Sequence, residues 1–311
     1  MSKRDYLIRF LLIIKKLRNS KYASFQEINT FLQDEFALID APKEISLRTF
    51  QRDLNEIRTI FNIDIQCNSE NLYFIADDET LDFNNRMMEA FDVFNSLNTG
   101  KQLMPYILLE KRCSLGTEHI YGILHAIKNH LILSFVYQKY SDNNKTTRTV
   151  EPYALKEFRG RWYLLSKDTE DDFIKTFGLD RISQMEILKK KFNYPLDFNP
   201  KDHFEDCFGV ITSDESEPEE IILSFHALQG QYIKSYPLHE SQRIITESKA
   251  AVQVGLKLYI TYDFIMELLS YGGNVYVEQP LSLRKTIATN AKRVTEMYKH
   301  RGTSKNKHSI S

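Results

Sequence analysis

Apolar side chains recur at helical spacing from the start of the chain. Tyr6, Phe10, Ile13, Ile14 and Leu17 fall on one stripe between Lys3 and Arg18 and predict a first helix. Ser24-Phe25-Gln26-Glu27 reads as a capping box before a second helical pattern, Ile28, Phe31 and Leu32, which runs to about Phe36. After Ala41-Pro42, the spacing of Leu47, Phe50, Leu54 and Ile57 predicts a third helix. Ser46 opens it, and Arg48, Thr49, Gln51, Arg52 and Asn55 face outward. Asp53 is expected to pair with Arg52 or Lys43. Ile63-Asp64-Ile65 and Leu72-Tyr73-Phe74-Ile75 then read as a two-stranded hairpin, closing a unit over 1–79.

From Leu81 to Lys111 the period is helical again and breaks at Thr99-Gly100, so 80–116 reads as a pair of linker helices. Thr117 is placed to cap a helix carrying Ile120, Ile123, Leu124 and Ile127, lying across the end of a small barrel at 117–192. Leu131 to Tyr140 puts Leu133, Phe135 and Tyr137 on one face and Ile132, Ser134 and Val136 on the other, both largely apolar, as a closed barrel needs. Ser141-Asp142-Asn143-Asn144 and Arg159-Gly160 supply turns. Arg161 to Lys167 alternates Trp162, Leu164 and Ser166 against Arg161, Tyr163, Leu165 and Lys167. Residues 193–220, ending in the acidic Thr212 to Glu220 stretch, form a linker. From 221 to 300 the order is strand, helix, two strands, helix, strand and a final helix, a ferredoxin-like pattern, before a polar tail at 301–311 expected to be disordered. The chain is therefore an α+β multidomain protein.

Composition narrows the functions. The 311 residues are 42% hydrophobic and 27% charged, enough for two or three globular domains. Net charge is -1 and the pI about 6.7, so nucleic-acid binding has to come from local patches. Between His119 and Lys191 there are 13 basic and 9 acidic residues, a net +4 that suits an anionic ligand. Arg161 beside Tyr163 could hold a phosphate and stack a base; an ordinary amphipathic strand with a snorkelling arginine has the same spacing. The third helix carries Arg, Gln and Thr near its N-terminus, groups that reach phosphates and base edges in a major groove; periodicity does not separate that from a solvated face. Cys67, Cys113 and Cys207 form no CxxC pair, and His119, His125 and His130 share no metal-binding face with a carboxylate. No nucleophile elbow, P-loop, paired carboxylates or HExxH motif is found, so neither an enzyme nor a cofactor is expected. The basic, apolar N-terminus is interrupted by Arg9, Lys15 and Lys16 and lacks a small-residue cleavage site. No run reaches transmembrane length, and a reduced cytoplasmic protein is expected.

Three spaced segments carry a resemblance. Arg148-Thr149-Val150-Glu151-Pro152, Gly160-Arg161-Trp162-Tyr163-Leu164 and Phe177-Gly178-Leu179-Asp180-Arg181-Ile182 resemble the WYL domain of bacterial transcriptional regulators. Ser46-Leu47-Arg48-Thr49-Phe50-Gln51-Arg52-Asp53-Leu54 resembles the winged domain of the same family. The resemblance implies a winged helix-turn-helix, then an Sm-like, SH3-type barrel, then a C-terminal WCX extension. It also implies a ligand-responsive regulator that reads double-stranded DNA through Ser46, Arg48, Thr49, Gln51 and Arg52; a homodimer is expected because a single winged domain buries too little surface for strong specificity. Its barrel would sense a nucleic acid or nucleotide through Tyr137, Arg148, Arg161, Tyr163, Lys175 and Arg181 converging on one anion. Lys175 stands where the family more often has arginine, which implies looser phosphate orientation or mere snorkelling. The other reading is an accessory nucleic-acid-binding subunit of a DNA-repair or phage-defence system.

Overall fold

The computed structural model describes residues 3–39, 44–76, 93, 108, 110, 112–140, 144–213 and 216–302. Most of the expected linker helix pair, the turn at 141–143 and residues 303–311 of the tail lie outside the described residues. The protein is α+β with three antiparallel sheets, divided into two compact units, Met1–Lys111 and Arg112–Ser311.

In the first unit, α1 (Lys3–Ser20), α2 (Phe25–Ile39) and α3 (Leu47–Phe61) pack with β1 (Ala23–Ser24), β2 (Asp64–Cys67) and β3 (Leu72–Ala76), in sheet order β1-β3-β2. The hairpin read from sequence gains a third strand because Ala23 and Ser24 pair with Tyr73 and Leu72. Ser24 still opens α2: its N–H donates to Glu27 Oε2 at 2.7 Å and Glu27 N–H returns to Ser24 Oγ at 3.3 Å. Ser46 caps α3 by accepting from Thr49 N–H at 3.2 Å. Asn62 ends the helix in the left-handed region, φ 54°, where its short polar side chain is tolerated. Ile13, Ile14, Leu17, Ile28, Leu32, Phe50 and Ile57 fill the core.

Two expectations fail here for physical reasons. Leu47 is 46% exposed, because helical side chains lean toward the N-terminus and a first-turn residue therefore points past the helix start. Asp53 does not pair with Arg52, and Lys43 lies outside the described residues; the Asp53 carboxylate takes the fork of Arg9, with Nε to Oδ2 at 2.5 Å and Nη2 to Oδ1 at 2.7 Å, and both side chains are fully buried. The bidentate match and the rings of Tyr6 and Phe10 near the guanidinium make that burial tolerable.

In the second unit a short 3-10 turn, Thr117–His119, leads into α4 (Ile120–Asn129), which packs on the sheet that follows it. Thr117 makes no cap. The turn begins at Gly116, φ 81°, where an added Cβ would lie 2.3 Å from the Leu179 carbonyl oxygen. The sheet β4 (Leu131–Gln138), β5 (Lys145–Phe158), β6 (Arg161–Asp168), β7 (Ile174–Gly178) and β8 (Ile182–Lys191) has the order β7-β6-β5-β4-β8, antiparallel throughout. Leu133, Phe135, Tyr137, Val150, Leu164 and Phe177 point inward onto Ile123 and Ala126 of α4. Leu165, read as outward, is also fully buried, because Phe204 at the end of α5 (Pro200–Phe204) and Cys207 cover it.

The remaining elements are β9 (Glu219–His226), α6 (Ala227–Ser235), β10 (Arg243–Glu247), β11 (Ala251–Leu258), α7 (Tyr262–Ser270), β12 (Val275–Gln279) and α8 (Leu281–Gly302). Their sheet is ordered β10-β11-β9-β12 and is antiparallel. Leu223, Phe225, Val254, Leu256, Phe264, Leu268 and Leu283 form its core.

The tip of the β5–β6 hairpin joins the two sheets. Arg159 (φ 51°) and Gly160 (φ 70°) both take positive φ, the two-residue turn whose twist matches its flanking strands. Phe158 packs edge-on against Phe208 at 5.6 Å between centroids, Phe208 against Phe264 at 5.4 Å, and Arg159 pairs with Glu267 of α7. A Cβ on Gly209 would stand 2.2 Å from Asp263 Oδ2, so the chain passes there only without a side chain.

Candidate functional site

The outward face of α3 begins at its cap. Ser46, Arg48, Gln51 and Arg52 are exposed; Thr49 is half-buried with its hydroxyl 3.0 Å from Ser46 Oγ. The Arg52 guanidinium lies over the Tyr6 ring at 5.7 Å, and Tyr6 also faces Arg9 at 5.0 Å. The buried Arg9–Asp53 pair therefore ties α1 to α3 directly beneath the exposed arginines.

The six residues expected to bind a ligand divide into two groups and do not converge on one point. Arg148 and Lys175 meet at Asp168, whose fully buried Oδ2 accepts from Arg148 Nη1 at 3.1 Å and Lys175 Nζ at 2.8 Å. Glu170 takes Arg148 Nη1 at 3.2 Å, Asp171 takes Lys175, and Asp172 takes Lys167 at 2.9 Å. Burial pushes the Asp168 carboxyl up, but hydrogen bonds from Lys175 and the Glu170 N–H, with the two cations, hold it below the usual range. Burial likewise works against the Lys175 ammonium, and its bonds to Asp168 and Asp171 outweigh that and raise it. Three cations here face four carboxylates. An anion would meet net negative charge, so Lys175 is neither a free phosphate ligand nor a snorkelling side chain but one arm of an ion cluster. Ser166 Oγ is buried nearby on the same strand, with no hydrogen-bond partner.

The other group surrounds Asp180. Arg181 lies over the rings of Tyr137 and Tyr140, at 5.2 Å from each, and its Nε is 3.6 Å from Asp180 Oδ1. Arg161 Nη1 and the Tyr140 hydroxyl donate to Asp180 Oδ2 at 3.5 and 3.3 Å, and the Gly178 N–H donates to the Tyr137 hydroxyl at 3.3 Å. Gly178 makes this possible, since a Cβ there would sit 2.6 Å from Arg181 Nη2. Burial raises the Tyr163 phenol, and the charges of Arg161, Asp180 and Arg181 all bear on it. Two guanidiniums against one carboxylate leave this group net positive, and Arg161 keeps 60% of its side chain exposed. Arg161 and Asp168 stand at opposite ends of β6, roughly 23 Å apart along an extended strand. Sequence reasoning missed Tyr140 and Asp180. Asp180 lies inside the matched Phe177–Ile182 segment and could have been found there; Tyr140 closes the stretch read as a strand, and alternation says nothing of a partner 40 residues away.

A family model for the WYL domain matches residues 118–187, which contain both groups, and one for the WCX domain matches residues 217–295. The chain carries a WYL domain and a WCX domain. Its WYL domain is the five-stranded sheet with α4, and its WCX domain the four-stranded sheet with its helices. Protein PafB of Mycobacterium tuberculosis and of Mycobacterium bovis is 37% identical over 68 residues, 22% of this chain and 20% of the relative, so the chain matches only about a fifth of the length of those relatives. Among solved structures, proteasome accessory factor B/C of Arthrobacter aurescens is similar at 18% identity and a TM-score of 0.33, covering 91% of this chain and 46% of the other. A CRISPR Cas-related protein is similar at 13% identity and a TM-score of 0.40, covering 96% and 84%. Among the described residues no helix is long and apolar enough to cross a membrane.

Proposed function

We propose that the chain is a ligand-responsive transcriptional regulator in which α3 reads double-stranded DNA as the second helix of a winged helix-turn-helix, with β2 and β3 as the wing. The observation that carries this is the exposed, side-chain-capped start of α3, with Arg48, Gln51 and Arg52 on one face over a buried ion pair. Guanidinium forks there suit phosphates and guanine edges, and the helix N-terminus favours phosphate. The WYL domain is read as an Sm-like barrel whose anion site is the Asp180 group, with a nucleic acid or nucleotide as ligand, and the WCX domain as ferredoxin-like. Two copies pair, because one winged module buries too little surface for strong sequence preference.

The test is selection of a duplex from a random pool by the full chain, followed by titration of Arg48→Ala and Arg52→Ala. A variant losing a base contact should bind about 1 to 3 kcal/mol more weakly and lose preference at one position. A variant losing a phosphate contact should weaken on every sequence and flatten the salt slope by about one unit. A stoichiometry of two chains per selected duplex supports pairing. If both variants bind as the unaltered chain does, α3 is not the reader.

A further inference from the structure

Residues 281–311 carry eight basic side chains and one acidic, net +7, which leaves -8 for the first 280 residues. Most of that charge is on α8. The first turns of α8 belong to the WCX core: Leu283 is fully buried, and Arg284 donates through Nε to the Val277 carbonyl at 2.7 Å and through Nη2 to the Glu278 carbonyl. Beyond that the helix leaves the domain surface, and every residue from Ala291 to Lys299 is exposed.

Lys285, Lys292 and Lys299 are exposed and seven residues apart. Seven residues make nearly two turns, so the three ammonium groups share one side of the helix, spaced by roughly 10 Å along its axis. A duplex carries about one phosphate charge per 1.7 Å of its axis, so a row of ammonium groups spaced by roughly 10 Å can reach separate phosphates of a backbone lying against it. The exposed Arg293 adds a further cation to the helix. Glu296 is the only carboxylate on the helix, 3.9 Å from Lys292, and two such exposed groups offset each other weakly. Repulsion along such a helix favours a polyanionic partner over empty solvent.

We propose that α8 is a second, sequence-independent DNA-binding element that tracks the duplex backbone through Lys285, Lys292 and Lys299. The role does not depend on α3 reading bases, and the two are separable by experiment. Val294, Met297 and Tyr298, 50%, 57% and 77% exposed, lie off the lysine row and could instead seat a second copy of the chain.

The experiment is anisotropy titration of the full chain against a labelled duplex of random sequence between 50 and 200 mM salt. The unaltered chain is compared with the triple variant Lys285→Gln, Lys292→Gln, Lys299→Gln. Glutamine keeps helix propensity, and circular dichroism checks the fold. Loss of three phosphate contacts should flatten the salt slope by two to three units, so the unaltered chain should lose roughly 40-fold more affinity than the variant across that salt range. Sequence preference on a selected duplex should not move in the triple variant, whereas Arg48→Ala or Arg52→Ala alters it if α3 is the reader. An unchanged salt slope in the triple variant overturns the proposal. So does a Val294→Ser, Tyr298→Ala variant that changes mass in sedimentation while the lysine variant leaves the slope intact, which would assign the face to a second copy.

Discussion

A guanidinium with no exposed surface, Arg9, sits in the N-terminal core against the carboxylate of Asp53, 44 residues away. Breaking a buried pair leaves an uncompensated charge. Asp53→Ala is therefore expected to cost the first unit about 3 to 5 kcal/mol, whereas replacing both partners with apolar residues of similar volume, Arg9→Met with Asp53→Leu, should recover most of it. Chemical unfolding of the three chains measures this; a loss below about 1 kcal/mol in the single variant would show that water reaches the site. Sequence spacing made Arg9 a polar break in an apolar stripe and Asp53 a neighbour of Arg52. Period reports which face a residue is on, and it is silent about a partner on another helix.

At the scale of elements, the first strand of the WYL domain was legible because both of its faces are largely apolar, and Leu133, Phe135 and Tyr137 alternate inward as read. The fate of its basic side chains was not. Glu170, Asp171 and Asp172 lie between β6 and β7, and they reach back to neutralise Arg148, Lys175 and Lys167. The division gives an expectation for ligand binding. Titrating a short single-stranded oligonucleotide, Arg161→Ala and Arg181→Ala should each weaken binding by about 1.5 to 3 kcal/mol, the worth of a charged hydrogen bond, and Arg148→Ala should leave it nearly unchanged. Equal losses in all three would mean that the Asp168 cluster opens to the ligand.

For the whole molecule, the order of helical and strand patterns anticipated the α+β class, and the strand-helix-strand-strand-helix-strand run after residue 220 reappears in the sheet ordered β10-β11-β9-β12. The joint between the last two sheets was invisible, because it rests on Phe158, Phe208 and Phe264, each of which reads in its own segment as an ordinary core residue. That joint has a practical consequence. Hairpin tips usually accept inserted residues and are early sites of protease nicking, but this tip is fastened by Arg159 to Glu267 and by the stacked phenylalanines. A Gly-Ser pair inserted between Arg159 and Gly160 should cost about 2 to 3 kcal/mol, since it loses both a partly exposed ion pair and aromatic packing. The melting temperature of the second unit should fall by roughly 4 to 10 °C, and the tip should become a tryptic cut site. The same insertion at the exposed Ser248-Lys249 turn should be tolerated, so equal melting temperatures for the two insertions would show the fastening to be slack. Anyone placing a fluorophore, tag or fused domain in this protein would do better at the turn between β10 and β11 than at the more obvious hairpin beside the Trp-Tyr-Leu triplet.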